Sequence, residues 1–258
     1  MSKIISIHSF RGGTGKSNSS ANIASLLAAD GARVGVVDTD INSPGIHILF
    51  GMQEEQMKYS LNDYLRGKCE ICDTAVDVTE NLAKNPLNKI PIKGRLHLIP
   101  SSMKVGEIAR ILREGYDVGL LNDGYQELLT SLKLDYLVID THPGVNEETL
   151  LSIAISNFLA IILRPDSQDY QGTLVTVEVA RKLDVPNMVL VVNKAPQSFD
   201  QEALKKRIEE TYRMPVAAVI PHSDEMMALA SSGIFALQHP DHEVAKKYAH
   251  IVKLIQNS

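Results

Sequence analysis

The sequence contains no tryptophan, and aromatic residues make up only 5% of its 258 positions. Stacking platforms for bases or peptides are therefore scarce. Cysteine is nearly absent as well: Cys69 and Cys72 are the two, too few for a disulfide framework and compatible with a reducing compartment. No apolar run approaches the ~18–20 residues that cross a bilayer as a helix. Positive charge is not in excess, since the formal net charge is −5 and the pI about 5.9. That balance argues against a generally basic nucleic-acid binder while leaving room for a local basic patch. An internal repeat, a low-complexity tract and a linker are missing too. Met1 leads within three residues into the strand-like Ile4-Ile5-Ser6-Ile7, which leaves no room for a signal peptide. The expectation is a cytoplasmic protein.

Apolar residues make up 44% of the chain, enough for a sizeable core. The length suits one large α/β domain over 1–258 better than two small ones. Short β-rich apolar runs alternate with longer helical stretches. The strand candidates are Ile4–His8, Val34–Asp38, Leu96–Ile99, Tyr136–Asp140, Leu159–Leu163, Met188–Val192 and Val216–Ile220. Most are continuously apolar, as strands covered on both faces are. Helical stretches such as Ser17–Asp30, closed by Gly31, and Asp200–Tyr212 lie between them. The alternation predicts a doubly wound, mostly parallel sheet of about seven or eight strands with helices on both faces. Residues 51–94 are more polar and read as a variable excursion within that domain, with a helix candidate at Ser60–Arg66 and a loop around Asn85–Gly94.

The chemistry concentrates in Arg11-Gly12-Gly13-Thr14-Gly15-Lys16-Ser17, between a strand and a helix. Three glycines let the backbone curl so that consecutive N–H groups face one anion, and the helix start adds its positive dipole end. Lys16 is placed to reach β- and γ-phosphates, and the Ser17 hydroxyl to ligate Mg²⁺. The generic GxxxxGK[ST] pattern fails at its first glycine, where Phe10 stands. The strand before and the apolar helix after the loop restore the assignment. Asp38 and Asp40 end the second strand and Asp140 ends another, at the edge where open α/β sheets bind ligands. Four apolar residues followed by Asp140 fit a water-mediated Mg²⁺ ligand. Each acid alone would be a plain turn former; three in this order belong together.

With these residues the chain resembles the MinD/ParA family of deviant Walker-box P-loop ATPases over nearly its whole length. The family motif Lys-Gly-Gly-x-x-Lys-[Ser/Thr] falls on residues 11–17, switch I on Asp38-Thr39-Asp40, and Walker B with switch II on Asp140-Thr141-His142-Pro143-Gly144. Val191-Val192-Asn193-Lys194 looks like the adenine-contacting Asn motif, and Val219-Ile220-Pro221-His222-Ser223-Asp224 like the late segment bordering the base. The resemblance implies ATP and Mg²⁺ as cofactors. It implies catalytic roles for Arg11, Lys16, Asp38 and Asp40, with Asp40 orienting the attacking water. Gly12, Gly13, Thr14, Gly15, Lys16, Ser17 and Asn18 would hold the nucleotide with Asn193, Pro221 and His222, and Ser17, Asp40 and Asp140 would surround the metal. It further implies an ATP-dependent homodimer that hydrolyses slowly and positions or partitions a cargo through an adaptor protein. The family's cross-dimer lysine is Arg11 here. An arginine is always charged and forked toward phosphate, so it can act in trans; alternatively it pairs locally with an acid.

Other motifs carry less. Cys69-Glu70-Ile71-Cys72 has CxxC spacing, read either as chance or as half of a dimer-bridging iron–sulfur site in an ATP-dependent cluster carrier. Lys205-Lys206-Arg207 and Lys246-Lys247 are candidates for non-specific DNA contact, and plain solvated charge is the simpler account. Val244, Tyr248, Ile251 and Ile255 form one helical stripe that reads as core packing rather than a membrane anchor. His142 is either a sensor of the γ-phosphate or a turn histidine. A further alternative is a regulatory module that holds nucleotide without turnover.

Overall fold

The computed structural model describes residues 2–258; Met1, where the expected domain begins, lies outside them. Among the described residues the strands are β1 (Lys3–His8), β2 (Arg33–Asp38), β3 (Val76–Asp77), β4 (Arg95–Ile99), β5 (Tyr136–Asp140), β6 (Phe158–Leu163), β7 (Met188–Ala195) and β8 (Val216–Pro221). They form one sheet in the order β3-β4-β2-β5-β1-β6-β7-β8. Every pairing is parallel except β3 with β4. The strands read as continuous apolar runs because helices cover both faces; all six residues of β6 are buried.

The helices are α1 (Lys16–Ala29), α2 (Ile46–Leu49), α3 (Leu61–Leu65), α4 (Thr79–Lys84), α5 (Val105–Glu114), α6 (Gly119–Ser131), α7 (Glu147–Ala154), α8 (Ser167–Lys182), α9 (Gln201–Tyr212), α10 (Asp224–Ala228), α11 (Phe235–Gln238) and α12 (Glu243–Asn257). Several begin where a short polar side chain takes up the first free N–H groups. Asn146 Oδ1 accepts the Thr149 N–H (2.9 Å) ahead of α7, and Asp200 Oδ1 accepts those of Glu202 (2.9 Å) and Ala203 (3.1 Å) ahead of α9. Helix α1 is buried nearly all round, which its Ser19, Ser20, Ala21, Ala24 and Ala28 allow by their small size. It packs between the sheet, α11 and α12, and the Asn22 carboxamide fastens it to α11 by accepting the Ala236 N–H (2.7 Å).

The structure bears out the doubly wound sheet of seven or eight strands and adds one strand to the seven candidates picked out along the sequence. That strand, β3, lies in the polar 51–94 stretch and has two residues, too few to show a pattern. The Ser60–Arg66 candidate is α3, one residue shorter at each end. Asp63 closes its start by accepting the Ser60 N–H (3.1 Å) and hydroxyl (2.9 Å). The stripe Val244, Tyr248, Ile251, Ile255 is fully buried in the core. Among the described residues no helix is long and apolar enough to cross a membrane.

Candidate functional site

The loop between β1 and α1 needs glycine at two positions. Gly13 (φ 75°) and Gly15 (φ 99°) lie in the left-handed region that side chains resist. A Cβ on Gly15 would also collide with the Asn193 carboxamide, whereas Gly12 has room for one. The collision marks a second support. Strand β7 runs on past Val192 with a register irregularity against β8, and this presents Asn193 and Lys194 to the loop. Asn193 Nδ2 donates to Thr14 O (2.8 Å) and Lys194 Nζ to Gly13 O (2.9 Å). The loop's carbonyls are thus pinned from β7. Among the described residues the N–H groups of Gly13, Thr14 and Gly15 meet no acceptor of the protein, which leaves them for an anion. Lys16, the first residue of α1, is 6% exposed.

Two strand ends, those of β2 and β5, bring the three acids together. Asp38 and Asp140 sit opposite each other in the β2–β5 register, and each is 1% exposed. Asp38 Oδ1 accepts the Asp40 N–H (3.1 Å) and Oδ2 the Gly45 N–H (3.3 Å). Burial, and then the charge of Asp140, push its pKa well above the usual carboxylate range. Asp140 Oδ1 accepts the Ser20 hydroxyl (2.9 Å), while its Oδ2 is buried without a partner among the described residues. Burial raises its pKa to about 6 against the opposing pull of Lys16 and the Ser17 and Ser20 hydroxyls. Asp40 accepts the Ser43 N–H (3.2 Å) and lies 3.7 Å from His142. Burial raises its pKa too, with His142 and Lys16 opposing.

His142 joins the two acid-bearing loops. Its Nδ1 lies in hydrogen-bond distance of Pro143 O (2.7 Å), and its Nε2 in that of the Asn42 carboxamide nitrogen (2.7 Å). Asn42 gave no signal in the sequence, because its meaning depends on a residue 100 positions away. The same holds for His8 at the end of β1. Its Nδ1 donates to the Thr141 hydroxyl (2.7 Å), which itself donates to Ile7 O (3.1 Å). Burial, then the charges of Lys16 and His142, lower the His8 pKa to about 3.

Beside the loop lies a cavity of about 410 Å³ lined by Gly15, Asn18, Asn193, Pro221 and His222, all singled out from the sequence. Its far wall, Met226, Met227, Ala230 and Ser231, was not. Asn193 faces this cavity with its carboxamide already engaged: Nδ2 holds Thr14, and Oδ1 accepts the Lys194 N–H (2.9 Å).

The remaining motifs lie apart from these. Arg11 pairs within its own chain, 3.4 Å from Asp169 and 3.6 Å from Asp166. Cys69 and Cys72 are half-buried free thiols. Burial and the acids Asp63, Asp73 and Glu70 raise the Cys69 thiol to about 11, and burial raises Cys72. Among the described residues no three His, Cys, Asp or Glu side chains gather to hold a metal ion directly. In the basic runs, Arg207 donates to the Tyr170 hydroxyl (3.0 Å) and Lys247 to Gln201 Oε1 (3.2 Å).

Residues 5–236 match the family model described as the CobQ/CobB/MinD/ParA nucleotide binding domain. An uncharacterized ATP-binding protein of Methanocaldococcus jannaschii is 26% identical over 259 residues, 99% of this chain and 88% of its own. The iron-sulfur cluster carrier protein of Aquifex aeolicus is 26% identical over 267 residues, 98% of this chain and 66% of its own. The septum site-determining protein MinD of Pyrococcus horikoshii OT3, solved with Mg-ADP, superimposes with a TM-score of 0.78 at 18% identity, over 99% of this chain and 96% of that one. At that identity the likeness bears on the fold: the eight-stranded, mostly parallel sheet matches that of a P-loop NTPase.

Proposed function

The chain belongs to the CobQ/CobB/MinD/ParA nucleotide-binding domain family, and from that premise we propose that it is a Mg²⁺-dependent ATPase acting as a dimerisation switch. In this reading residues 1–258 form one domain, ATP closes two copies together, and slow hydrolysis reopens them. The observation that carries the reading is Asp140. Among the described residues its buried Oδ2 has no partner and the loop amides of Gly13 to Gly15 meet no acceptor, and it lies within the influence of Lys16 and Ser17. Leaving such an oxygen unpaired costs about 1–3 kcal/mol, and a hydrated cation shared with Ser17 removes that cost.

Lys16 and the amides of Gly13 to Gly15 would hold the phosphates, with Ser17 and Asp140 holding Mg²⁺, Asp140 through a water. When bound, the ion neutralises charge on the phosphoryl group being transferred. Asp40 would orient the attacking water. Asp38 fixes the turn that carries it by accepting the Asp40 N–H, and His142 holds that turn against the loop after β5. Gly15, Asn18, Pro221 and His222 would line the base. Asn193 contributes a wall of that cavity and the clamp on Thr14.

The output would be the positioning or partitioning of a cargo through an adaptor in the cytoplasm. The septum-site name of the Pyrococcus horikoshii MinD supports this direction. DNA contact through Lys205–Arg207 is a lesser option, and membrane contact through α12 less still, since its apolar stripe faces the core. ATP hydrolysis by the purified protein tests the reading: Asp40→Ala is expected to lower turnover by at least about tenfold while leaving nucleotide affinity within about twofold. Unchanged turnover in that variant rejects the role given to Asp40, and ATP binding without phosphate release, alone or with cell extract, would make the chain a non-hydrolysing regulatory module. A second reading, an ATP-dependent iron–sulfur carrier, draws on the name of the Aquifex aeolicus relative. Iron and sulfide retained after anaerobic purification, and lost in Cys69→Ser, would establish it.

A further inference from the structure

Arg11 stands where the proposed switch needs a residue that reaches the nucleotide of a second copy, yet its own chain holds it. Its Nη1 lies 3.4 Å from Asp169 Oδ1 and 3.6 Å from Asp166 Oδ1. Both acids open helix α8. Asp166 caps it by accepting the N–H groups of Gln168 (3.1 Å) and Asp169 (3.0 Å), and Asp169 is 2% exposed. The preceding residue reinforces the docking: the Phe10 ring rests on Gly172 of the same helix so closely that a Cβ there would overlap it.

A second arginine makes the hold reversible. Arg164 donates to Asp169 Oδ2 through its backbone N–H (2.9 Å) and its Nε (3.2 Å), and its Nη2 lies 3.2 Å from Asp166 Oδ2. If Arg11 leaves, each carboxylate keeps a guanidinium partner, so no buried charge is stranded. What is given up is an exposed pair with Asp166, of a kind worth little, and one contact to the buried Asp169, whose carboxylate stays held by the Arg164 N–H and Nε.

We propose that Asp166 and Asp169 are positioning residues that hold Arg11 in cis, and that its transfer from them to the phosphates of a second copy sets the concentration at which the dimer forms. This inference rests on the dimerising reading above. It adds a competitor for the arginine, seated on α8, so that any partner displacing the start of α8 lowers the threshold for dimer formation.

Asp166→Asn is the informative variant, because asparagine still caps the helix while losing the charge. Wild type, Asp166→Asn, Asp166→Glu and Arg11→Ala would be sized across a protein dilution series with a non-hydrolysable ATP analogue. Nucleotide affinity would be measured in parallel below the dimerisation range. The dimer dissociation constant of Asp166→Asn is expected to fall roughly tenfold, since each copy releases an exposed ion pair worth a factor of about three. Asp166→Glu should return to the wild-type value, and Arg11→Ala should lose nucleotide-dependent association. Monomer affinity for the analogue should stay unchanged in Asp166→Asn. If wild type dimerises and Asp166→Asn dimerises no more readily, this proposal falls and the switch stands. If Arg11→Ala also dimerises more readily, Arg11 is only a brake and the transfer is wrong. Absence of association in all four proteins removes the switch and the transfer together.

Discussion

From Gly13 to Ser17 the phosphate loop is fastened through its backbone, with Asn193 and Lys194 holding two carbonyls and with Gly13 and Gly15 at left-handed φ values that a side chain would strain. From Ser9 to Arg11 it is fastened through side chains, by Phe10 on Gly172 and by Arg11 on two carboxylates that Arg164 also serves. The first arrangement cannot open without stranding buried polar groups; the second can exchange partners. A loop that must present a fixed cradle and also change its neighbours is served by this division, rigid on the nucleotide side and exchangeable on the side facing α8.

The largest effect should come from breaking the rigid half. Gly15→Ala places a side chain at φ 99° and displaces the buried Asn193 carboxamide. It is expected to cost about 2–3 kcal/mol of stability and to weaken nucleotide binding at least about tenfold, seen by urea denaturation and nucleotide titration. A harmless substitution would mean that the clamp from β7 is slack.

Asp140→Asn should act in the opposite direction on the nucleotide-free protein. The folded-state pKa of Asp140, about 6, lies above its ordinary value near 4. The folded state therefore binds the extra proton between roughly pH 4 and 6, and stability from this group is lost as pH rises through that window. Removing the charge should stabilise the protein by about 2–3 kcal/mol at pH 7 and by almost nothing below about pH 4, while Mg²⁺-dependent nucleotide binding disappears. Equal stability of wild type and variant at pH 7 would show that Asp140 carries no desolvation cost.

Arg11→Ala tests the exchangeable half and should do least in the monomer. With the guanidinium 36% exposed and Arg164 still in place, the stability loss should stay under about 1 kcal/mol in the same denaturation assay. A loss as large as that of Gly15→Ala would mean that both halves of the loop are structural.

The parts legible in the sequence are those whose signal is local. Val34–Asp38 and Tyr136–Asp140 each combine an apolar run with an acid at its end, so strand, register face and candidate site came from a few neighbouring residues. Lys16 and the glycines before it were read in the same way. The two residues of β3 carry no period to detect, and the methionine wall formed by Met226 and Met227 has no local mark. Asn42, His8 and the partners of Arg11 depend on side chains 100, 133 and 158 positions away, distances over which a single sequence holds no record of proximity.

The short strand β3 has a consequence for how copies of the chain meet. It pairs antiparallel with Leu98 and His97 of β4. The Val78 N–H continues onto Leu96 O (3.0 Å), and the Thr79 hydroxyl takes the Leu96 N–H (2.9 Å). The outer backbone of β4 is therefore filled by the chain's own return, and on this side the sheet ends in a two-residue strand, a short edge that gives a neighbouring molecule little ladder to extend. A protein proposed to gather copies of itself in response to a small molecule has reason to close that border, because recruitment along it would ignore the nucleotide.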